Sequence, residues 1–495
     1  MRIFSLITIL LLSFHCSVAQ TEKEIVESTV RKSMIEGHIY FLADDLLKGR
    51  ETGTPENKIA ATYLANSLRG YGVQPVSKTG SFFQTVELKK VSPPQRLLLE
   101  IDTKEYKNKV VLDAAKMEYK GNAVYAGYGL EADYEGKNVT KKLVIVKGGN
   151  SESNDARSAF RLRKTKVELA KKAGALGIIE LIQTDTTTWR FIDHNFNSEQ
   201  LKVDTGVVEE TVKNNNFVHL WVHDEQGTYA TDLTLKNDIK INLYMEGESI
   251  QKVTSQNVVG MVEGTDSTLK NEFIIYSAHY DHVGIGAPDA SGDIIYNGAR
   301  DNAVGTTTVL SMAENIAKYP TKRSALFILF TGEEKGLLGS EYYVNNPVLP
   351  LNQMVYCFNS DNAGYNDTSL ATIIGLNRTS AAHHIMEASS EFGLTAIDDP
   401  APEEGLFDRS DNVHFAAKGI PAPTFSLGFT AFNGTVTEYY HTPGDEANSL
   451  DYNYLFKFFK AYVLAGRKIA NDPETPFWTN GDKYESVGRK LYNRY

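Results

Sequence analysis

The chain has 495 residues, 42% hydrophobic and 23% charged, the composition of a folded protein and, at this length, of two compact units rather than one core. With 51 basic against 62 acidic side chains, the net charge of −11 speaks against nucleic acid, which wants a basic stripe. No long biased run marks a fibrous or disordered class.

The amino end reads as an export signal. Arg2 supplies a positive start, residues 3–12 are apolar, and Ser17-Val18-Ala19 is a small-x-small cleavage site. Residues 1–19 are expected to be removed near Ala19, with the mature protein periplasmic or secreted. The apolar run is shorter than the roughly 20 residues of a membrane span, and no later segment approaches that length, so no stable membrane insertion is expected. Of the two cysteines, Cys16 would leave with the signal, and Cys357, inside the apolar run MVYCF, reads as a buried thiol without a disulfide partner.

Residues 22–47 carry helical apolar spacing, and a helix resumes over 57–71 with Ala60, Ala61, Leu64 and Leu68 on one face. Strand-like FFQTVEL and RLLLEI follow. From about residue 118 the character changes: AVYAGYGL, KLVIVKGG, a helical stretch VELAKKAGALGIIELI, then FVHLWV and IKINLYM. This block, 118–248, reads as a β-rich domain inserted between 20–117 and 249–472, with 473–495 as a carboxyl-terminal tail. From 257 onward strand, loop and helix repeat: FIIYSA, SALFILF, MVYCFNS and PAPTFSL are short apolar runs, separated by amphipathic helices at 302–318, 337–345, 380–392 and 450–470. The fold class is therefore α/β, a wound and mostly parallel sheet flanked by helices, with the inserted block beside it.

The chemical residues fall at the ends of these elements. They lie in SAHYDH (His279, Asp281), GARDNA (Asp301), TGEEKGLLGS (Glu333, Glu334), NSDNAG (Asp361) and YYHTPGDE (His441). Three of the motifs follow predicted strands directly, where open α/β sheets place their sites. Singly each has a plain explanation: an Asp before a helix is usually an N-cap, a Glu pair is usually solvated, a lone His is usually structural. Together, two imidazoles and three carboxylates are a ligand set for a pair of zinc ions, and the glutamate left over is a general base for a metal-bridging water. Asp281, two residues past His279, is placed to orient its imidazole.

At these motifs the chain resembles the co-catalytic di-zinc aminopeptidase family (metallopeptidase family twenty-eight), which also contains glutamate carboxypeptidase and the glutaminyl cyclases. FLADDLLKGRETGTPENKIAATYLANSLRGYGVQP resembles the family's leading segment, and AVYAGYGLEADYEG through ELAKKAGALGIIE resembles a protease-associated domain. The resemblance implies an αβα zinc-peptidase sandwich and two zinc ions per chain. His279 and Asp361 would hold one ion, Glu334 and His441 the other, with Asp301 bridging; Glu333 would be the base and Asp281 the partner of His279. By similarity with the carboxypeptidase branch, Tyr440 would donate to the oxyanion, with Tyr439 as a rival. Two positions depart from the pattern. Arg300 could alter pocket charge, and Asn412 ends a Ser-Asp-His-like segment and puts substrate contacts there in doubt.

Peptides are the implied substrates, and an aminopeptidase is the leading expectation. A carboxypeptidase or dipeptidase would need cations for a substrate carboxylate, for which Arg300, Arg378 and Arg409 are candidates. A glutaminyl cyclase works at a single zinc, and a non-catalytic relative would have lost Glu333 or a ligand. The inserted block is expected either to restrict access to small peptides or to serve stability alone; the sequence is silent on oligomeric state.

Overall fold

The computed structural model describes residues 20–76, 80–206, 217–236 and 238–494. The signal read at 1–19, Cys16 included, lies outside the described residues. The chain divides into two compact units, one formed by the residues up to Val86 together with those from Ser255 onward, the other by Glu87–Thr254.

In the first unit, four parallel strands form the centre in the order Thr424–Leu427, Met354–Ser360, Phe273–His279, Ser324–Phe330. Ser249–Val262 runs antiparallel beyond Ser324–Phe330; Leu370–Ile374, antiparallel to Thr424–Leu427, and Thr395–Asp398 close the other side. The three longest central strands are buried at every position, which is why they read as unbroken apolar runs instead of alternating ones. Their side chains alternate between two helical layers. Tyr276, Phe327 and Phe358 pack with the helices Pro55–Tyr71, Gly305–Lys318 and Tyr452–Asn471, while Ile275, Ile328 and Cys357 pack with Leu338–Asn345 and Asn412–Ala417. The result is an αβα sandwich. The long amino-terminal helix expected over 22–47 is instead Glu22–Thr29 and Lys32–Leu42, followed by a tight turn over Asp45–Arg50. Residues 473–495 are not a loose tail: Trp478 is buried with its indole N–H on the Gly419 carbonyl at 2.9 Å, and Asp482 pairs with Arg378.

The second unit has its own eight-stranded sheet. Met117–Tyr125, Leu143–Lys147, Gly177–Ile182 and Val218–His223 run parallel, and Ile239–Met245 pairs antiparallel with the first of them. The unit begins earlier than the expected 118 because Leu97–Ile101 pairs with Ile239–Met245, and Lys109–Asp113 with Val218–His223. GIIELI, read as the end of a helix, is a strand. The helix Ala156–Lys172 stops ahead of Gly174, whose φ of +84° suits glycine, and the six residues that follow as Gly177–Ile182 are all buried. A buried charge, Glu180, is fully paired there with Lys166 (2.5 Å), His219 (3.1 Å) and the indole N–H of Trp221 (2.7 Å).

Candidate metal centre

The carboxyl ends of the parallel strands bring the predicted residues together. His279 is the last residue of its strand, Glu333 and Glu334 lie in the turn after Phe330, and Asp361 follows Ser360. Asp301 sits in the turn Ala299–Val304 that leads into Gly305–Lys318, and His441 lies in the loop ahead of the last long helix. The Asp301 turn needs Gly298, with φ of +62°: a Cβ there would stand 2.5 Å from the His282 ring.

The geometry is that of two pockets sharing one carboxylate. Asp301 Oδ1 is 3.4 Å from His279 Nε2, which is 3.2 Å from Asp361 Oδ1. Asp301 Oδ2 is 3.3 Å from His441 Nε2, which is 3.0 Å from Glu334 Oε2. His279 Nδ1–H donates to the Asp281 carbonyl at 3.2 Å, which leaves Nε2 facing the acids. His441 Nε2 is buried and lacks a hydrogen-bond partner among the described residues, although carboxylate oxygens of Asp301 and Glu334 lie 3.3 and 3.0 Å away. Ligands about 2.0–2.1 Å from a tetrahedral ion lie about 3.3 Å apart, and the separations here fit that edge.

Electrostatics agree. Burial raises the Asp301 carboxyl, but the imidazoles of His279 and His441, close to its two oxygens, overcome that and hold the group well below the ordinary range. Burial pulls the His279 imidazole down, yet Glu333, Asp361 and Asp301 lift it well above its usual value, and the same contest carries His441 up to about 10. Glu333 is driven well above the ordinary carboxyl range, first by burial and then by Asp361 and Glu334. The cluster therefore holds more negative charge than it can ionise alone. Divalent cations would take the place of the imidazole protons and relieve it.

The neighbours of these groups are mostly ones the sequence left unmarked. His282, the second histidine of SAHYDH, donates Nδ1–H to Glu334 Oε1 at 2.7 Å. Asp281 touches His279 mainly through its carbonyl; its carboxylate instead accepts from Thr52 (2.8 Å) and from the backbone N–H groups of Glu333 (3.2 Å) and Glu334 (3.3 Å), fixing that turn. Asp445 accepts the N–H of Asp301 at 3.1 Å. Arg50 is fully buried and donates to the carbonyls of Leu42, Tyr280, Asn297 and Gly298, tying the leading segment to both the His279 and Asp301 loops. Motif chemistry gave no signal for Arg50, Thr52 or Asp445. For His282, its place beside two named residues was signal enough.

A cavity opens over the cluster, lined by Asp301, Glu333, Asp361, Tyr440, Arg409 and an apolar wall that includes Phe432. Tyr440 stacks on His441 at 3.9 Å; burial, and then Asp301, Glu334, Glu333 and Asp361, push its phenol upward, so it stays a donor. Tyr439 lies 3.9 Å from the Arg300 guanidinium and is absent from the cavity wall. Arg300 does not alter the cavity's charge, because it is buried against Asp445 (3.1 Å) and Ser449. Asn412 is likewise structural, its amide donating to the Phe407 and Ala422 carbonyls at 3.1 Å each.

Residues 257–465 match the model of peptidase family M28. The matched stretch contains His279, Asp301, Glu333, Glu334, Asp361 and His441. Over 195 residues it is 30% identical to aminopeptidase YwaD of Bacillus subtilis (strain 168), covering 39% of this chain and 40% of that protein. It is 26% identical over 270 residues to probable leucine aminopeptidase 2 of Aspergillus oryzae, covering 50% and 51%. The chain thus spans about half the length, or less, of these curated relatives. Among solved structures, an aminopeptidase from Aneurinibacillus sp. strain AM-1 superposes with a TM-score of 0.59 at 21% identity, covering 92% of this chain and 97% of that one. A zinc aminopeptidase from Bacillus subtilis gives 0.51 at 19% over the same shares. At these identities the likeness is one of fold, and it extends over nearly the whole chain.

Proposed function

We propose that the protein is a di-zinc exopeptidase that releases residues from the amino ends of peptides. The observation that carries this reading is the two-sided Asp301 carboxylate, each oxygen facing a histidine and a second carboxylate, with Glu333 beside them and uncommitted. His279 and Asp361 would hold one zinc, His441 and Glu334 the other, and Asp301 both. Zinc at this centre supplies a polarised substrate carbonyl and an acidified water. The chain's own residues do the rest. Glu333 lines the cavity without a side-chain hydrogen bond among the described residues, its turn held by Asp281; it takes the proton of the attacking water and returns it to the leaving amine. Tyr440 offers its phenol O–H to the carbonyl oxygen as that oxygen gains charge.

We further infer that the protein is exported, on the strength of Arg2, the apolar run 3–12 and the Ser17-Val18-Ala19 site; among the described residues no helix is long and apolar enough to cross a membrane. The second unit is proposed to be a protease-associated domain, on its sequence resemblance.

The test is a screen of aminoacyl-p-nitroanilides beside carboxyl-terminally scissile peptides, each with and without chelator, together with metal analysis. Chelator-sensitive release from the nitroanilides and two zinc ions per chain are expected. Glu333→Gln should keep both ions and lose about 10²–10⁴-fold in turnover. Loss of an ion in that variant would reverse the roles of Glu333 and Glu334.

A further inference from the structure

The sequence offers Arg300, Arg378 and Arg409 as cations for a substrate carboxylate under the carboxypeptidase or dipeptidase alternative, and the structure commits two of them elsewhere. Arg300 is buried against Asp445 and Ser449. Arg378 donates twice to Asp482, at 2.7 and 3.0 Å, and its guanidinium stacks 3.8 Å from the Phe407 ring. Arg409 remains. It is exposed, it lines the same cavity as Glu333, Asp361 and Tyr440, and its guanidinium lies 5.7 Å from the Phe432 ring, itself part of that wall. No carboxylate among the described residues pairs with it; the adjacent Asp408 is held by Lys483 at 2.9 Å.

The carboxylates of the centre do not take Arg409 either: Asp301, Glu334 and Asp361 lie against His279 and His441. A planar guanidinium over an aromatic wall, its donors free, is a ready receptor for a carboxylate, which it can grip with two parallel hydrogen bonds.

We propose that Arg409 binds a carboxylate of the substrate, so that the enzyme selects peptides presenting an anionic group next to the scissile bond. This rests on the exopeptidase reading. The carboxylate has two possible sources: an acidic side chain on the amino-terminal residue, or the free carboxyl end of a dipeptide.

Two isosteric pairs separate them, assayed on the zinc-loaded full chain: glutamyl- against glutaminyl-p-nitroanilide, and Leu-Leu against Leu-Leu-amide. One pair should favour the charged member in kcat/KM by about tenfold or more, the size expected of hydrogen bonds to a charged group. Arg409→Ala should collapse that ratio, chiefly through KM. Arg409→Lys should keep part of it, and Arg409→Glu should invert it in favour of lysyl-p-nitroanilide. The pair that loses its preference names the source. Ratios that are equal in the wild type and in Arg409→Ala, for both pairs, overturn the proposal while leaving the exopeptidase intact. Absence of chelator-sensitive release from any substrate overturns the exopeptidase reading instead. Calorimetric binding of the dipeptide pair, and of glutamate against glutamine, to Glu333→Gln and to its Arg409→Ala double variant then decides on Arg409 without turnover; equal affinities in both proteins would sink it.

Discussion

His282 shows what a single side chain does at this centre without facing the cavity. Its Nδ1–H bond to Glu334 Oε1 leaves Oε2 turned toward His441, so one imidazole fixes the orientation of another residue's ligand atom. His282→Phe removes that bond in a buried position and frees the Glu334 carboxylate to rotate. The expected outcome is a 10–100-fold loss of metal affinity, read by competition with a chromophoric chelator, with turnover recovered at high zinc. Glu333→Gln should show the opposite pattern, full metal and no rescue. The proposed ligands could be picked out in the sequence because hydrolysis at paired metals would restrict the residue types to imidazole and carboxylate, and the structure brings those side chains together. Their supports are not restricted in that way. Arg50 reaches carbonyl oxygens at Tyr280, Asn297 and Gly298, more than 200 positions along the chain, and any donor of the right length would read the same in sequence.

At the level of elements, the helices Lys32–Leu42 and Pro55–Tyr71 are joined by a buried histidine. His38 Nδ1 and Nε2 each lie 2.7 Å from a phenol oxygen, of Tyr63 and Tyr71, and burial lowers its pKa from 6.5 to about 4. In the unfolded chain it accepts a proton near pH 6.5, while the folded protein resists until about pH 4. The folded state therefore enjoys this contribution in full above pH 6.5 and loses it progressively as pH falls toward 4. Between pH 7 and pH 5 the loss is about 2 kcal/mol. Urea unfolding at the two pH values should show it as the difference between the wild type and His38→Gln, whose stability should depend less steeply on pH; parallel slopes would mean the site tolerates charge. Periodicity found the helices because each buries one face, but it misjudged boundaries wherever neither face is exposed. GIIELI is buried throughout, so no period distinguishes strand from helix there, and only its parallel partners Leu143–Lys147 and Val218–His223 settle it.

For the molecule as a whole, the division into units puts the proposed ligands in one of them. Every proposed ligand belongs to the unit containing Ser255 onward, whereas Glu87–Thr254 has its own apolar cluster holding Leu99, Ile145, Ile179 and Leu220 and a buried charge already paired within itself. On the di-zinc reading, four clustered carboxylates would make the first unit dependent on cations for part of its stability, because in their absence burial must be met by protonation. At a thousandfold excess of zinc over its dissociation constant, each bound ion adds about 4 kcal/mol. Calorimetry of the full chain should accordingly resolve a transition that falls by several degrees when chelator is added and another that stays in place. Glu333→Gln, which removes one of the four charges and no ligand, should narrow the chelator shift by raising the metal-free transition. A shift shared by both transitions would show that metal binds outside the Asp301 centre, and an unmoved pair would remove the cations from the folding of this protein altogether.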